Sequence, residues 1–412
     1  MASRPALRRL VSLREDEFAA GYWGRRPLLS PATTLPDGFD DLFSLRAADE
    51  LLSSRGLRTP FVRVAKDGAL VDPSRFTRSG GVGAAVADQV VDDRVLELFA
   101  DGHTVVLQGL HRLWPPLIDF AGRLGEELGH PVQVNAYVTP RGAQGFAAHY
   151  DVHDVFVLQV SGRKRWIVHE PVLLSPLRTQ AWTDVRDEVV ARAAEPPLLA
   201  VVLEPGDVLY LPRGYIHAAE ALGEVCAHLT VGVQEHTRHA LVEALAELVA
   251  DEPELRRSLP LGIDVRDPAQ LAQELAVTVE SLVSRLRTIT ADQVAGLLDD
   301  RTRTSMRPAP LAPLLAGDRL ASLDGHSTIV PRPRARTTLV RGESELELRA
   351  PAKTLRFPLS AEGAISAVLG AGAAVRVGDL PLPEAEAVDL ARRLVRAGVA
   401  VPGGPVEPSP PT

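Results

Sequence analysis

HYDVHDVFVLQVSGRKRWIVHEP (residues 149–171) and LPRGYIHAAE (residues 211–220) decide the reading of this 412-residue chain. The first stretch opens on an H-x-D pair. In an extended segment residues i and i+2 share a face, so His149 and Asp151 point the same way. His217, in the second stretch, supplies a second imidazole from a distant strand. Two histidines and one carboxylate occupy one face of an octahedron and leave three positions open. That is the ligand set of non-haem Fe(II) oxygenases, where a bidentate co-substrate and O₂ bind the same iron.

H-x-D by itself is common by chance. Three features weigh against chance here. Both halves fall in segments that read as β. Their separation lets intervening strands return to one site. Lys164 stands at the start of the strand after H-x-D, where it can reach into a barrel. A buried, unpaired ammonium is costly, and a dicarboxylate co-substrate would pair it. The bland alternative is a solvated turn residue between Arg163 and Arg165.

Outward from this core the pattern is short β segments with Gly/Pro turns. Val132 to Val138 alternates with period 2, and Asp154 to Val160 reads as a buried strand. Ser161 to Lys164 reads as a turn and Arg165 to His169 as the next strand. Leu199 to Leu203 and Asp207 to Leu211 flank Glu-Pro-Gly as a hairpin, and Val225 to Gln234 is a further strand. Many short strands with such turns argue for an antiparallel sandwich or barrel. Upstream, Pro115 to Leu128 reads as an amphipathic helix with its prolines in the first turn.

Downstream the chain turns helical. Asp267-Pro268-Ala269-Gln270 is a helix start, with a stripe of Leu271, Leu275, Val279, Leu282 and Leu286 behind it. Residues 307–334 are rich in Pro, Ala and Gly and read as a linker. A compact segment follows to 402, then a Pro-rich tail, 403–412, expected to be disordered.

Composition narrows the function classes. The chain is 45% hydrophobic and 24% charged, which excludes disorder along its whole length. One cysteine, Cys226, excludes an internal disulfide and a cysteine zinc cluster. A formal charge of −8 disfavours nucleic acid as the main partner. No apolar run is long enough for a membrane span, and no apolar region follows the basic N-terminus, so a cytoplasmic location is expected.

HYDVHDVFVLQVSGRKRWIVHEP, LPRGYIHAAE and FAAGYWGRRPLL (residues 18–29) together resemble the JmjC-type cupin family that contains the ribosomal-protein hydroxylases. The resemblance implies an α+β protein. Residues 1–236 would be a double-stranded β-helix (a cupin/JmjC jelly roll) with an N-terminal helical extension. A helical dimerisation segment at 237–306 and a winged-helix-like domain at 335–402 would follow. It implies an Fe(II)-, 2-oxoglutarate- and O₂-dependent oxygenase that hydroxylates an arginine or histidine of a ribosomal protein and works as a homodimer. Carried over by residue, His149, Asp151 and His217 match the iron ligands. Lys164 matches the partner of the distal carboxylate of 2-oxoglutarate, with Arg163 or Arg165 as possible substitutes. Asn135, Tyr137 and Thr230 match positions facing the co-substrate or substrate.

Other residues are assigned plainer roles. His153 is expected at the rim and His228 as a packed structural histidine, while Cys226 is expected as a buried small hydrophobe. His169, His236 and His239 show no pairing that suggests a site. Three other readings stay open. One is a cupin metalloenzyme that does not use 2-oxoglutarate. Another is a 2-oxoglutarate oxygenase acting on a small molecule or peptide natural product. The third is a non-catalytic protein whose winged-helix-like end, preceded by Arg332, Arg334, Arg336 and Arg341, binds a partner or nucleic acid.

Overall fold

The computed structural model describes residues 4–83 and 85–403, and of Thr304 only the backbone. The tail expected to be disordered lies, from Gly404 onward, outside the described residues. The chain divides into two compact units, up to Glu235 and from His236.

The first unit is built on an antiparallel sheet. Its strands are β1 (Leu28–Ser30), β2 (Val62–Lys66), β3 (Ala69–Leu70), β4 (Thr104–Leu107), β5 (Val132–Thr139), β6 (Asp154–His169), β7 (Leu199–Leu203), β8 (Val208–Leu211) and β9 (Ile216–Val233). The order is β1-β8-β6-β9-β5-β4-β2-β3, with β7 also paired to β6. This is the expected α+β jelly roll. The helix Pro115–Leu128 forms where its prolines predicted, and Leu117, Phe120 and Leu124 are buried on its inner face.

Two local expectations are overturned. Ser161 to Lys164 is not a turn between strands, because β6 runs unbroken from Asp154 to His169 and pairs along its length with β9. The turn-like composition there serves a register shift in that pairing. Gly162 has a left-handed backbone (φ +63°), and a Cβ on it would lie 2.4 Å from the Val225 carbonyl oxygen. Only glycine combines that backbone conformation with so close an approach.

Nor do Leu199–Leu203 and Val208–Leu211 form a hairpin. β8 pairs with Val155 to Leu158 and β7 with Lys164 to Val168, so the two lie end to end along β6. The Glu-Pro-Gly corner between them is stitched to β6 by Gly206 N–H to Gln159 O (2.9 Å) and Gln159 N–H to Asp207 O (3.0 Å).

The second unit begins with helices at Arg238–Val249, Pro268–Leu286 and Ala291–Ser305. Asp267 caps the second by accepting from Ala269 N–H at 2.9 Å. Thr290 and Gln293 form a capping box on the third. The helix Pro268–Leu286 buries none of its residues, and Leu275, Val277, Val279 and Val283 are exposed.

The stretch expected as a linker is ordered structure. It holds a helix, Pro313–Ala321, and a strand, Thr328–Pro331. Leu323 and Ile329 are buried in the same core as Leu346, Phe357, Ile365 and Leu394. Pro313 stands in a helix first turn, where its missing N–H costs nothing. Its proline content therefore marked a helix start. Two three-stranded sheets and the helices Glu362–Leu369 and Glu384–Arg396 complete this core.

Candidate metal centre and its cavity

His149, Asp151 and His217 each offer a ligand atom within 4.8 Å of the others. The H-x-D segment is not in a strand as expected. It is a loop touching the sheet at one bridge, His149 opposite His217. There the two backbones exchange hydrogen bonds, His149 N–H to His217 O (3.2 Å) and His217 N–H to His149 O (2.8 Å). The i, i+2 relation still holds locally. Tyr150, between the ligands, is buried and donates its hydroxyl to Gln180 O at 2.9 Å. Gly214 N–H bonds Asp151 O (3.0 Å) and ties the two ligand-bearing segments together again.

Both histidines are oriented by the same local device. His149 Nδ1 lies 2.7 Å from Ala147 O, and His217 Nδ1 lies 3.0 Å from Tyr215 O. A nitrogen facing a carbonyl must carry the proton, so in each ring Nε2 keeps its lone pair for a metal. Burial, with His149 nearby, pushes His217 down to about 4, so it stays neutral near pH 7. Burial raises Asp151, but His153, His217 and His149 outweigh it and hold the carboxyl below its usual range. Two imidazoles that turn Nε2 to the site and one carboxylate at this spacing fit a divalent cation that prefers mixed nitrogen and oxygen donors.

Lys164 is buried at 3% exposure and lines the same cavity, of about 100 Å³. Its Nζ donates to Thr139 Oγ1 at 3.2 Å, which also accepts from Thr104 Oγ1 at 3.2 Å. No carboxylate pairs with it among the described residues, and burial lowers it to about 8. Arg163 and Arg165 point the other way along β6 and are half-exposed beside Glu224 (3.7 Å) and Glu220 (3.6 Å). Strand alternation therefore excludes both as substitutes for Lys164.

Tyr137 and Thr230 also line the cavity. The Tyr137 ring stacks on His228 (centroids 5.0 Å apart, planes within 7°), and burial pushes its hydroxyl up. Asn135 does not line it. Its Oδ1 accepts from Gly109 N–H (3.0 Å), holding the left-handed turn after β4. His153 sits outside the cavity, with Nε2 3.4 Å from Gln133 Nε2. Asp154 is wholly buried and structural. It accepts from the Tyr210 hydroxyl and from Arg213 N–H (2.9 Å). Cys226 is buried as expected.

Sequence reasoning missed Thr104, Thr139, Phe146 and Trp166. Thr139 follows Tyr137 by two on β5, and Trp166 follows Lys164 by two on β6. The strand period that placed Tyr137 and Lys164 would have found both.

An antiparallel jelly roll that brings two histidines and an aspartate to one cavity is a cupin-type fold with a candidate metal site. More narrowly, residues 119–241 match the family model described as JmjC domain. It is similar to the bifunctional lysine-specific demethylase and histidyl-hydroxylase NO66 of Aedes aegypti, 28% identical over 73% of this chain and 47% of the relative. Human ribosomal oxygenase 1 is 38% identical over 40% of this chain and 28% of its own length. The chain thus spans about half the length, or less, of these curated relatives.

Among solved structures, Escherichia coli YcfD aligns over 96% of this chain and 99% of its own, with a TM-score of 0.57 at 18% identity. A YcfD structure described as a complex with cobalt and 2-oxoglutarate aligns at a TM-score of 0.51 and 17% identity. At these identities the likeness establishes a common fold.

Proposed function

We propose that the protein is an Fe(II)- and 2-oxoglutarate-dependent oxygenase that hydroxylates a protein side chain. One observation carries this reading. A buried ammonium without a carboxylate among the described residues, Lys164, lines the same cavity as two histidines and an ionised aspartate. Such a cavity suits a ligand that chelates a metal at one end and is anionic at the other, as 2-oxoglutarate is. His149, Asp151 and His217 would hold the iron through two Nε2 atoms and a carboxylate oxygen. Lys164, steadied by Thr139, would pair with the distal carboxylate.

Bound iron would use O₂ as the oxidant: one oxygen atom would go into succinate as 2-oxoglutarate loses CO₂, and the other into a C–H bond of the substrate. The protein's own residues ligate, orient and keep the cavity dry. Tyr137, Phe146, Trp166 and His228 wall it with rings, and no side chain needs to shuttle a proton to the carbon.

The relatives' names support the target. Ribosomal oxygenase 1 and the E. coli ribosomal oxygenase point to a ribosomal protein, and histidyl-hydroxylase to a histidine, with arginine the other candidate. A ribosomal substrate agrees with a cytoplasmic enzyme, and no helix among the described residues is long and apolar enough to cross a membrane.

We read 237–306 as the homodimerisation element, because the helix Pro268–Leu286 fully buries none of its apolar stripe and leaves Leu275 and Val279 of it exposed. Residues 335–402 are read as a winged-helix-like module that contacts protein rather than nucleic acid. Sedimentation should give a dimer, and Leu275→Glu with Val279→Glu should give a monomer.

Succinate release from 2-oxoglutarate with Fe(II) added anaerobically tests the activity. The wild type should turn over slowly without substrate and His149→Ala not at all. Wild-type protein that binds neither iron nor 2-oxoglutarate would refute the assignment.

A further inference from the structure

His228 lies in mid-β9, opposite Tyr137 on one side and Gln159 on the other. It is 3% exposed, and neither ring nitrogen has a hydrogen-bond partner among the described residues. A buried polar group left unbonded is rare in native proteins and costs free energy. The ring has no freedom to find a partner elsewhere. It is stacked on Tyr137 and met edge-on by Trp166 at 5.4 Å and 87°.

The charged and titratable groups that act on it are Lys164 and His217. It lines the cavity that holds them both, close enough to feel the charge of each. A cationic Lys164 beside it keeps the imidazole neutral. Nδ1 is fully enclosed, which leaves Nε2 as the nitrogen a ligand can reach. An enclosed nitrogen without an acceptor is better as a lone pair than as an N–H, because an orphaned buried N–H is the rarer and costlier case. The proton therefore sits on Nε2.

We propose that His228 is a further co-substrate-binding residue, whose Nε2–H donates to a carboxylate oxygen of 2-oxoglutarate alongside Lys164. This rests on the oxygenase reading above. The stacking on Tyr137 and the edge of Trp166 make it a donor fixed in place before the ligand arrives, so no ordering cost falls on binding.

Calorimetry of 2-oxoglutarate binding to the full-length protein loaded with Mn(II) tests it without turnover. His228→Phe keeps a flat ring against Tyr137 and removes the donor. It should weaken 2-oxoglutarate ~10-fold to ~100-fold, the range for a hydrogen bond to a charged group, while Mn(II) affinity stays at the wild-type value. His228→Gln restores an N–H near Nε2 and should recover most of the loss. Wild-type affinity in His228→Phe overturns the proposal. So does a His228→Gln as weak as the Phe variant, since packing would then be the cause.

A measurement on unsubstituted protein guards against misfolded variants. In Zn(II)-loaded protein with ¹⁵N-labelled histidine, 2-oxoglutarate should shift the His228 Nε2–H proton downfield, and an unmoved resonance overturns the assignment. Wild-type protein that binds Mn(II) but not 2-oxoglutarate would instead remove the oxygenase reading, and this one with it.

Discussion

The two halves of β6 do opposite work. From Asp154 to Val160 every residue is buried. Phe156, Leu158 and Val160 join the large core that also contains Leu117, Phe120 and Leu124 of the helix Pro115–Leu128. Val155 and Val157 face the barrel interior with Leu209, Leu211 and Tyr215. From Gly162 onward the strand alternates, with Lys164, Trp166 and Val168 buried and Arg163 and Arg165 exposed.

The inward positions are odd in the first half and even in the second. The switch falls between Gln159 and Lys164, where the pairing with β9 is irregular at two places and Gly162 has a left-handed backbone. This short stretch decides whether the strand sends lysine or arginine into the cavity. The first half is mostly core, its buried polar residues Asp154 and Gln159 being held by hydrogen bonds, and lends the cavity only the apolar walls Val155 and Val157, whereas the second half brings in Lys164.

That contrast can be broken in order of size. Phe156→Ala should cost about 3–5 kcal/mol in urea denaturation, the range for a truncated buried aromatic, with 2-oxoglutarate affinity unchanged in the fraction that stays folded. Lys164→Met should do the reverse. Affinity for 2-oxoglutarate should fall on the order of 100-fold by calorimetry, from loss of a charge-assisted pair, without loss of stability, since an unpaired buried cation gives way to an apolar chain.

The pH dependence sharpens the second case. Lys164 titrates at about 8 in the ligand-free fold and 10.5 in its ordinary state. Between those values the unfolded chain holds more protons. This group therefore makes the free protein more stable as pH rises through the window, and that gain is lost as pH falls through about 8. Binding of 2-oxoglutarate needs the ammonium, so affinity should decline above pH 8. Lys164→Met should flatten both profiles.

Gly162→Val should cost roughly 2 kcal/mol through its strained φ and the clash with Val225 O. Unlike Phe156→Ala, it should lower stability and co-substrate affinity together, because the parity of the second half is at stake. Arg163→Ala and Arg165→Ala should each change stability by less than about 0.5 kcal/mol, as exposed ion pairs do. A large loss of 2-oxoglutarate binding in either would contradict the alternation.

How much of this was readable from residues alone follows the same division. The strands at Val132 and Asp154 and the helix at Pro115 declare themselves by period and by proline placement. His149, Asp151 and His217 are legible because their spacing is chemical as well as structural. The continuity of β6 is not legible, because Ser-Gly-Arg-Lys has turn composition and only the partner carbonyl at Val225 reveals why glycine is there. The supposed hairpin misled because Glu-Pro-Gly marks a corner without saying which strand receives the chain afterwards. Asn135 was placed on the right strand, but its amide was already committed to Gly109, a contact between distant residues that no local pattern encodes. His228 was read as packing, and only the lack of a hydrogen-bond partner for its ring among the described residues singles it out.

Residues 170–198 leave the end of β6 and come back at Leu199, which pairs with Val168. Both ends of that excursion are held by one ladder, and it carries Trp182, whose ring lies 6.3 Å from His149. That excursion also braces the metal loop: Gln180 O accepts from Tyr150, between two of the ligands, and Val172, Trp182 and Val185 pack around Tyr150 and Ile216. Evolution or an engineer that redraws the mouth of the cavity therefore also handles the brace behind it, and what the site admits drifts together with how its ligands are held.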